Sequence, residues 1–466
     1  MNRLLRRWYF PLLAQLLAFA AFALLIAGGL TANTDDPAFA KELRNTNLAN
    51  LIVWSYWWPL IILAAIFFGR VWCMVCPMEL VASLASRIGL KRRPRAFIQS
   101  GWPMTVFYVL IVFVGIHTLA IHRVPLRMAI YMLVLLAATV ITGLLWARNT
   151  FCSSICPVGH LLGLYARLAP LGWGVRDKEL CRSCKDNSCI ATVIAYRFQG
   201  RSCGVGLTPS TVEDNTVCLL CGQCLKACDQ NNPGIKGRPN PGWFARPWFK
   251  DLLALKPLTG AQAAFCLVVS GFVIYEILTE WPPARTLLLY VPNLFGAWLG
   301  AEGVWAGGLI KSLTLFVALP ALIWLVPYGV FRLTGGSLPL RKYLRAFGIA
   351  FIPIMAAAHA VKSLLKMTSR IPYWEHALSD PAGTGTARGI LQKAVQLTPL
   401  PGWREPTMTV LSLVLLVAGI ALSATLVARL VAAEVPEAGW RASALFLIPC
   451  IYGGFFVVML FAWRLF

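Results

Sequence analysis

Acidic residues are scarce in this chain: 19 Asp and Glu stand against 42 Lys and Arg in 466 residues, and charged side chains of both signs make up only 13%. A soluble domain carries about a quarter charged residues, so the deficit excludes an ordinary water-soluble protein. Histidine is rarer still, with five in all. There is no Walker A loop, no G-x-G-x-x-G between strand and helix, and no H-E-x-x-H, so nucleotide-dependent and zinc-protease chemistry have no support. What fills the chain instead is apolar. Hydrophobic residues make up 58%, gathered in runs long enough to cross a bilayer.

The net charge of +23 would suit a nucleic-acid binder, but most Lys and Arg fall in short segments between apolar runs. That is the pattern by which a membrane protein sets its orientation, so the expected partner is membrane lipid and not nucleic acid. The runs predict about nine transmembrane helices, near 9–30, 50–68, 102–122, 127–146, 261–281, 307–331, 345–365, 407–431 and 442–463. Arg3, Arg6 and Arg7 before the first run place the N-terminus inside, and the run is too long for a typical signal peptide. The apolar stretch 286–306 is broken by Pro292 and glycines. Counting it as a span would put Arg332, Arg341, Lys342 and Arg345 outside, so it is expected to be interfacial or re-entrant. The loop 366–406 is then the largest external feature and a candidate docking surface. Pro239, Pro241, Pro247 and Pro257, with Trp243 and Trp248, suggest a chain lying along the membrane surface before it re-enters.

Of fourteen cysteines, twelve fall in segments expected to face the cytoplasm, where metal or redox roles outweigh disulfides. Eight lie between Cys181 and Cys228. Cys218, Cys221, Cys224 and Cys228 have the C-x2-C-x2-C-x3-C spacing with which bacterial ferredoxins wrap a 4Fe-4S cluster, the last cysteine crossing to a neighbouring cluster. The ferredoxin rule therefore assigns Cys181, Cys184, Cys189 and Cys228 to one cluster and Cys203, Cys218, Cys221 and Cys224 to another. A four-thiolate zinc ribbon is the competing reading, although eight ligands exceed what one zinc needs. Basic neighbours Arg182, Lys185, Arg201 and Lys226 would offset cluster anionic charge, or simply hold the segment inside. Cys266 and Cys450, within apolar helices, read as small hydrophobic residues.

Upstream, a hairpin of two apolar runs ending in a Cys-Pro motif occurs twice. The first copy ends in Arg70-Val-Trp-Cys73-Met-Val-Cys76-Pro77, the second in Arg148-Asn-Thr-Phe-Cys152-Ser-Ser-Ile-Cys156-Pro157, each followed by an amphipathic stretch. Two copies pointing the same way predict a pseudo-twofold axis along the membrane normal, bringing Cys73, Cys76, Cys152 and Cys156 to one depth. Three readings stand side by side: ligands of a third 4Fe-4S cluster, redox thiols or a soft-metal (copper) site, and structural residues at helix ends. Proline after the second cysteine suits a tight ligand loop and equally a first helical turn.

Polar residues inside apolar spans are functional hypotheses. His117 and His359 fall at similar depth and could bridge a haem b or line a quinol pocket. Lys362 could pair with Glu276 or Glu280 of another helix, while Lys366 is expected to snorkel to water. His122 joins these groups as a proton acceptor for a quinol. His160, after the second Cys-Pro pair, reads as an exposed polar residue or as support for a metal ligand.

Cys-Pro motifs after paired helices, followed by two ferredoxin-type cysteine sets, resemble the NapH/NosR/CcoG group of polytopic membrane iron-sulfur proteins. The resemblance covers roughly residues 1–235. The usual motif of that group is C-x3-CP, which Cys152 to Pro157 fits and Cys73 to Pro77, a C-x2-CP, departs from. It implies electron transfer between the quinone pool or a membrane partner and a reductase or dehydrogenase system, in the manner of a quinol dehydrogenase subunit. The expectation is an all-α polytopic protein of the bacterial inner (cytoplasmic) membrane. Its parts are duplicated hairpins over 1–170, a ferredoxin-like cytoplasmic module with two 4Fe-4S sites over 171–258, and a C-terminal membrane domain of about five helices over 259–466. The alternative is a cytoplasm-facing copper reductase or assembly factor that uses the Cys-Pro thiols.

Overall fold

The computed structural model describes residues 2–235, 247–301 and 303–465. Pro239, Pro241 and Trp243, part of the expected surface segment, lie outside the described residues. Among the described residues, eight helices are long and apolar enough to span a bilayer: Leu12–Gly29, Leu48–Phe68, Pro125–Leu145, Gly260–Leu278, Val304–Leu333, Leu340–Ser369, Arg404–Glu434 and Pro436–Arg464. The expected ninth, 102–122, is the shorter helix Trp102–Ile116. Its last turn widens into a π-helix over Ile111–Ile116, and His117 caps it, so His117 stands at a helix end instead of inside a span. The stretch expected to be interfacial or re-entrant forms a helix, Pro282–Trp298, that keeps Pro292 inside it. The loop expected to be external, after Leu340–Ser369, holds two short helices, Tyr373–Ser379 and Thr384–Leu391.

The chain divides into two compact units. The first comprises Met1–Asn33, Leu60–Phe107 and Met128–Ala254, the second Thr34–Pro59, Tyr108–Arg127 and Leu255–Phe466. In the second unit Leu340–Ser369 is the central helix, with 89% of its apolar stretch buried against 33% for Arg404–Glu434. Small residues let its neighbours approach, since apolar side chains gain little from one another in lipid and close packing must supply the attraction. A side chain at Gly419 would strike Ala357 and the Pro353 carbonyl, and one at Gly271 would strike the Leu315 carbonyl. Some polar groups in this packing are matched: Trp324 Nε1 donates to Ser270 Oγ at 3.2 Å, Tyr452 OH to the Ser270 carbonyl at 3.1 Å, and Ser423 Oγ to the Ala350 carbonyl at 2.7 Å.

In the first unit the two hairpin copies pack through glycine. Gly143 lies against Ala85 and Ala82, and Gly89 lies against the Leu144 backbone. Leu90 N donates to the Leu144 carbonyl at 2.6 Å. Regular structure is thin beyond Tyr165. Strand β1, Trp173–Val175, pairs antiparallel with β2, Pro233–Ile235, in the register Trp173 to Ile235, so the cysteine-rich stretch is tied together at its two ends. The N-terminal tail joins them, with Asn2 Nδ2 donating to the Ile235 carbonyl at 3.1 Å and Ile235 N to Asn2 Oδ1 at 2.9 Å.

Replacing Gly419 with Leu should lower stability by about 1–3 kcal/mol through overpacking, read as an earlier thermal unfolding midpoint in detergent, whereas Gly402→Leu, where nothing lies within 4 Å, should leave the midpoint unchanged.

Candidate iron-sulfur centre

The twelve cysteines of the motifs sort into three quartets, all within the first unit. In the first quartet, Cys181 and Cys189 both feel the charge of Cys184 and of Cys228. Cys181 rides on the short helix Lys178–Arg182, started by Asp177 capping Glu179 N and Leu180 N, and its sulfur accepts from Asn232 Nδ2 at 3.1 Å. The second quartet, Cys203, Cys218, Cys221 and Cys224, lines one cavity with Trp173 and Val212. Leu220 and Gly222 take positive φ of 55° and 71°. These left-handed residues coil the loop so that cysteines three apart face inward. Leu207 N donates to Cys203 Sγ at 3.3 Å.

The third quartet gathers the duplicated motif. Cys152 feels Cys156, Cys76 and Cys73, and Cys76 feels Cys73 and Cys156. Both copies fold alike locally. Cys76 and Cys156 are extended N-caps, and Pro77 and Pro157 open the helices Pro77–Ile88 and Pro157–Tyr165. Proline is at home there because the first-turn N–H it lacks would have no helical partner. The Cys156 sulfur accepts from Gly159 N at 3.3 Å, so this thiol sits where the helix dipole favours a thiolate.

The quartets follow one another. Cys203 N donates to the Cys189 carbonyl at 3.0 Å and Cys224 feels Cys189, which joins the first to the second. Arg70 joins the second to the third: its Nε donates to Cys73 Sγ at 3.4 Å, and its Nη1 to the Thr216 and Val217 carbonyls at 3.0 and 3.1 Å, just before Cys218. An apolar cluster of Leu5, Met74, Trp173, Leu220 and Leu225 closes around Cys224, with Cys189 and Cys218 packed on it.

Burial and mutual repulsion disfavour ionisation of several of these thiols. Burial, then the Cys73 charge, with Gly159 N opposing, leave Cys156 at about 11. Burial and the Cys228 charge take Cys189 to about 11, and burial with the Glu79 charge takes Cys221 to about 12. Cys76, Cys152, Cys218 and Cys224 are raised by burial first as well. Only a cationic metal centre would hold four such sulfurs ionised together. Among the described residues no three His, Cys, Asp or Glu side chains converge on a point that would hold a single ion. The all-thiolate donor sets, the N–H groups aimed at sulfur and, around Cys224, the apolar surroundings fit 4Fe-4S clusters.

Sequence reasoning missed the buried carboxylate that ties these elements together. Glu79, 2% exposed, forms an ion pair with Arg201, two residues before Cys203. It also accepts from Asn149 Nδ2 at 2.7 Å and from Gln15 Nε2 at 2.6 Å, and Gln15 donates again to the Met74 carbonyl at 3.0 Å. Burial disfavours charge on Arg201, but Glu79, with a smaller contribution from Cys221, more than offsets this and holds its pKa above the usual value. Arg70 behaves likewise beside Cys73. Of the other basic neighbours, Lys185 is exposed, Arg182 pairs with Glu179 at the surface, and Lys226 donates to the Phe10 carbonyl at 2.5 Å. His160 is buried at 7% exposure, not solvent-facing. Gly163 lets its helix lie against the Thr216 carbonyl, where a side chain would clash.

The membrane residues lie in the second unit. His117 packs on Tyr275 and Phe316 with ring centres 4.7 and 4.9 Å away, Phe316 meets Phe272 at 6.1 Å, and Phe272 meets His359 at 6.3 Å. Between the two imidazoles the rings therefore run in sequence, His117 to Phe316 to Phe272 to His359. Lys362 pairs with the Glu280 carboxylate and donates to the Glu276 carbonyl at 2.7 Å. Lys366 is only 9% exposed and does not reach water as a snorkelling residue would.

The family described as a 4Fe-4S binding domain matches residues 50–95 and 128–177. Those segments hold the third quartet and stop short of Cys181. No curated protein and no solved structure matches the chain. The chain is a multi-pass membrane protein that carries a 4Fe-4S binding domain.

Glu79→Ala strands the Arg201 charge and should cost about 3–5 kcal/mol; Glu79→Gln, which keeps an acceptor for Asn149, should cost less. Thermal unfolding of the two variants side by side checks the order.

Proposed function

We propose that this protein is a membrane electron-transfer subunit in which all three cysteine quartets hold 4Fe-4S clusters. The arrangement that carries the reading is the succession of three all-cysteine quartets within one unit, the third inside the matched 4Fe-4S segments. Each cluster, when bound, supplies a one-electron carrier. Cys181, Cys184, Cys189 and Cys228 would hold the first, Cys203, Cys218, Cys221 and Cys224 the second, and Cys73, Cys76, Cys152 and Cys156 the third. Arg70 and Arg201 set positive charge beside the second and third quartets, and N–H donors on Cys73, Cys156, Cys181 and Cys203 favour the reduced state at each quartet. The apolar cluster around Cys224 keeps water from the sulfurs.

The basic loops support a bacterial inner-membrane location with the cysteine-rich segment in the cytoplasm. The subunit would connect the quinone pool, or a membrane partner's cofactor, with a reductase or dehydrogenase system. His359 and the Glu276 carboxylate are the polar groups in the spans with which a quinol would exchange hydrogen bonds, and Lys362 holds the Glu276 backbone in place.

The reading is tested by metal analysis of anaerobically purified protein and of a Cys152→Ser/Cys156→Ser variant. The expected result is about twelve irons per chain, falling to about eight in the variant. Unchanged iron, or copper lost in place of iron, would overturn the third assignment.

A further inference from the structure

One end of the second unit gathers more positive charge than its carboxylates can match. Lys362 and Lys366 lie one turn apart on Leu340–Ser369 and are 5% and 9% exposed; Glu276 and Glu280 lie one turn apart where Gly260–Leu278 ends. The Lys362–Glu280 ion pair joins the two helices. Arg44 and Arg123 come to this pair from other segments, and Arg370 follows directly on the helix of the two lysines. Arg44 lies within electrostatic reach of Arg370, Glu280, Glu276 and Arg123, and Lys366 within reach of Glu276, Arg44, Lys362 and Glu280. Asn50 fixes the arrangement, its Nδ2 donating to the Arg44 carbonyl at 3.1 Å and to the His122 carbonyl at 3.4 Å. Arg123 Nε in turn donates to His122 Nε2 at 3.2 Å.

Five cations therefore face two carboxylates. Adding Glu42, whose charge reaches Tyr373 beside Arg370, still leaves cations in excess. Side chains anchoring helix ends would extend into water, but the two lysines are buried. Arg44 Nε, Arg370 Nε and His122 Nδ1 are buried without a hydrogen-bond partner. Like charges held together away from water are unfavourable unless an opposite charge joins them, and guanidinium groups match the planar oxygens of phosphates and carboxylates.

We propose that Arg44, Arg123, Lys366 and Arg370 form a binding site for an oxyanion, a phosphate or carboxylate group carried either by a lipid headgroup or by a small solute. Lys362, already committed to Glu280, shapes the wall of the site. The site borders Glu276 and Lys362, which the quinol reading also uses, but it requires no quinone.

The test uses full-length protein in neutral detergent, delipidated, with thermal unfolding followed against inorganic phosphate at ionic strength matched by chloride. Phosphate should raise the midpoint saturably, and Arg44→Gln and Lys366→Gln should each weaken the apparent affinity about tenfold. Without phosphate both variants should be at least as stable as the parent, because each removes repulsion; a merely structural arginine would lower stability with or without the anion. Adding phosphatidylglycerol or phosphatidylcholine distinguishes the sources. Stabilisation by phosphatidylglycerol beyond that of phosphate, with the lipid retained in native mass spectrometry, identifies a headgroup; an equal effect of phosphate alone identifies a solute. No response of the parent to either phosphate or anionic lipid, or an undiminished response in both variants, would overturn the proposal.

Discussion

The Glu79 carboxylate is the point on which the cysteine-bearing unit depends. It receives hydrogen bonds from the first membrane helix through Gln15, from the second hairpin copy through Asn149, and an ion pair from the cysteine-rich stretch through Arg201. An ion pair taken out of water gains little unless its remaining lone pairs are also satisfied, and here two amides satisfy them. Glu79 itself stands in the first turn of Pro77–Ile88, where a negative charge suits the helix dipole. One side chain therefore fixes the position of both Cys-Pro motifs relative to the segment that follows them.

Arg70 serves the same end from the opposite side. Its guanidinium reaches a thiol of the third quartet and two carbonyls preceding the second, so neither quartet can shift without breaking a buried bond. Gly163 and Gly159 make room for this contact: the former admits the Thr216 carbonyl, and the latter lies against the Arg70 guanidinium. The chain thereby ties thiols from separate stretches of sequence to one another, with few regular elements to help.

Much of this was legible in the amino-acid order because cluster ligands come from short loops. The spacing from Cys218 to Cys228 shows its chemistry locally, and the ferredoxin rule supplies the crossed partners Cys203 and Cys228. The convergence of Cys73, Cys76, Cys152 and Cys156 was readable from the repeat. Glu79, Gln15 and Asn149 were not, because a lone acid or amide in an apolar segment has no periodic signature and its partners lie 64, 70 and 122 positions away. The apolar runs located the spans, but the depth of His117 and His359 said nothing of Phe272 and Phe316 between them, and Lys366 looked like an anchor because burial by neighbouring helices leaves no trace in its own helix.

The central claim is that each quartet holds inorganic iron and sulfide. A cryo-electron microscopy map of anaerobically purified protein tests it most directly. The expected result is three compact densities, each larger than a single atom and joined to four cysteine sulfurs. Single-atom densities, or quartets closed into disulfides, would contradict it.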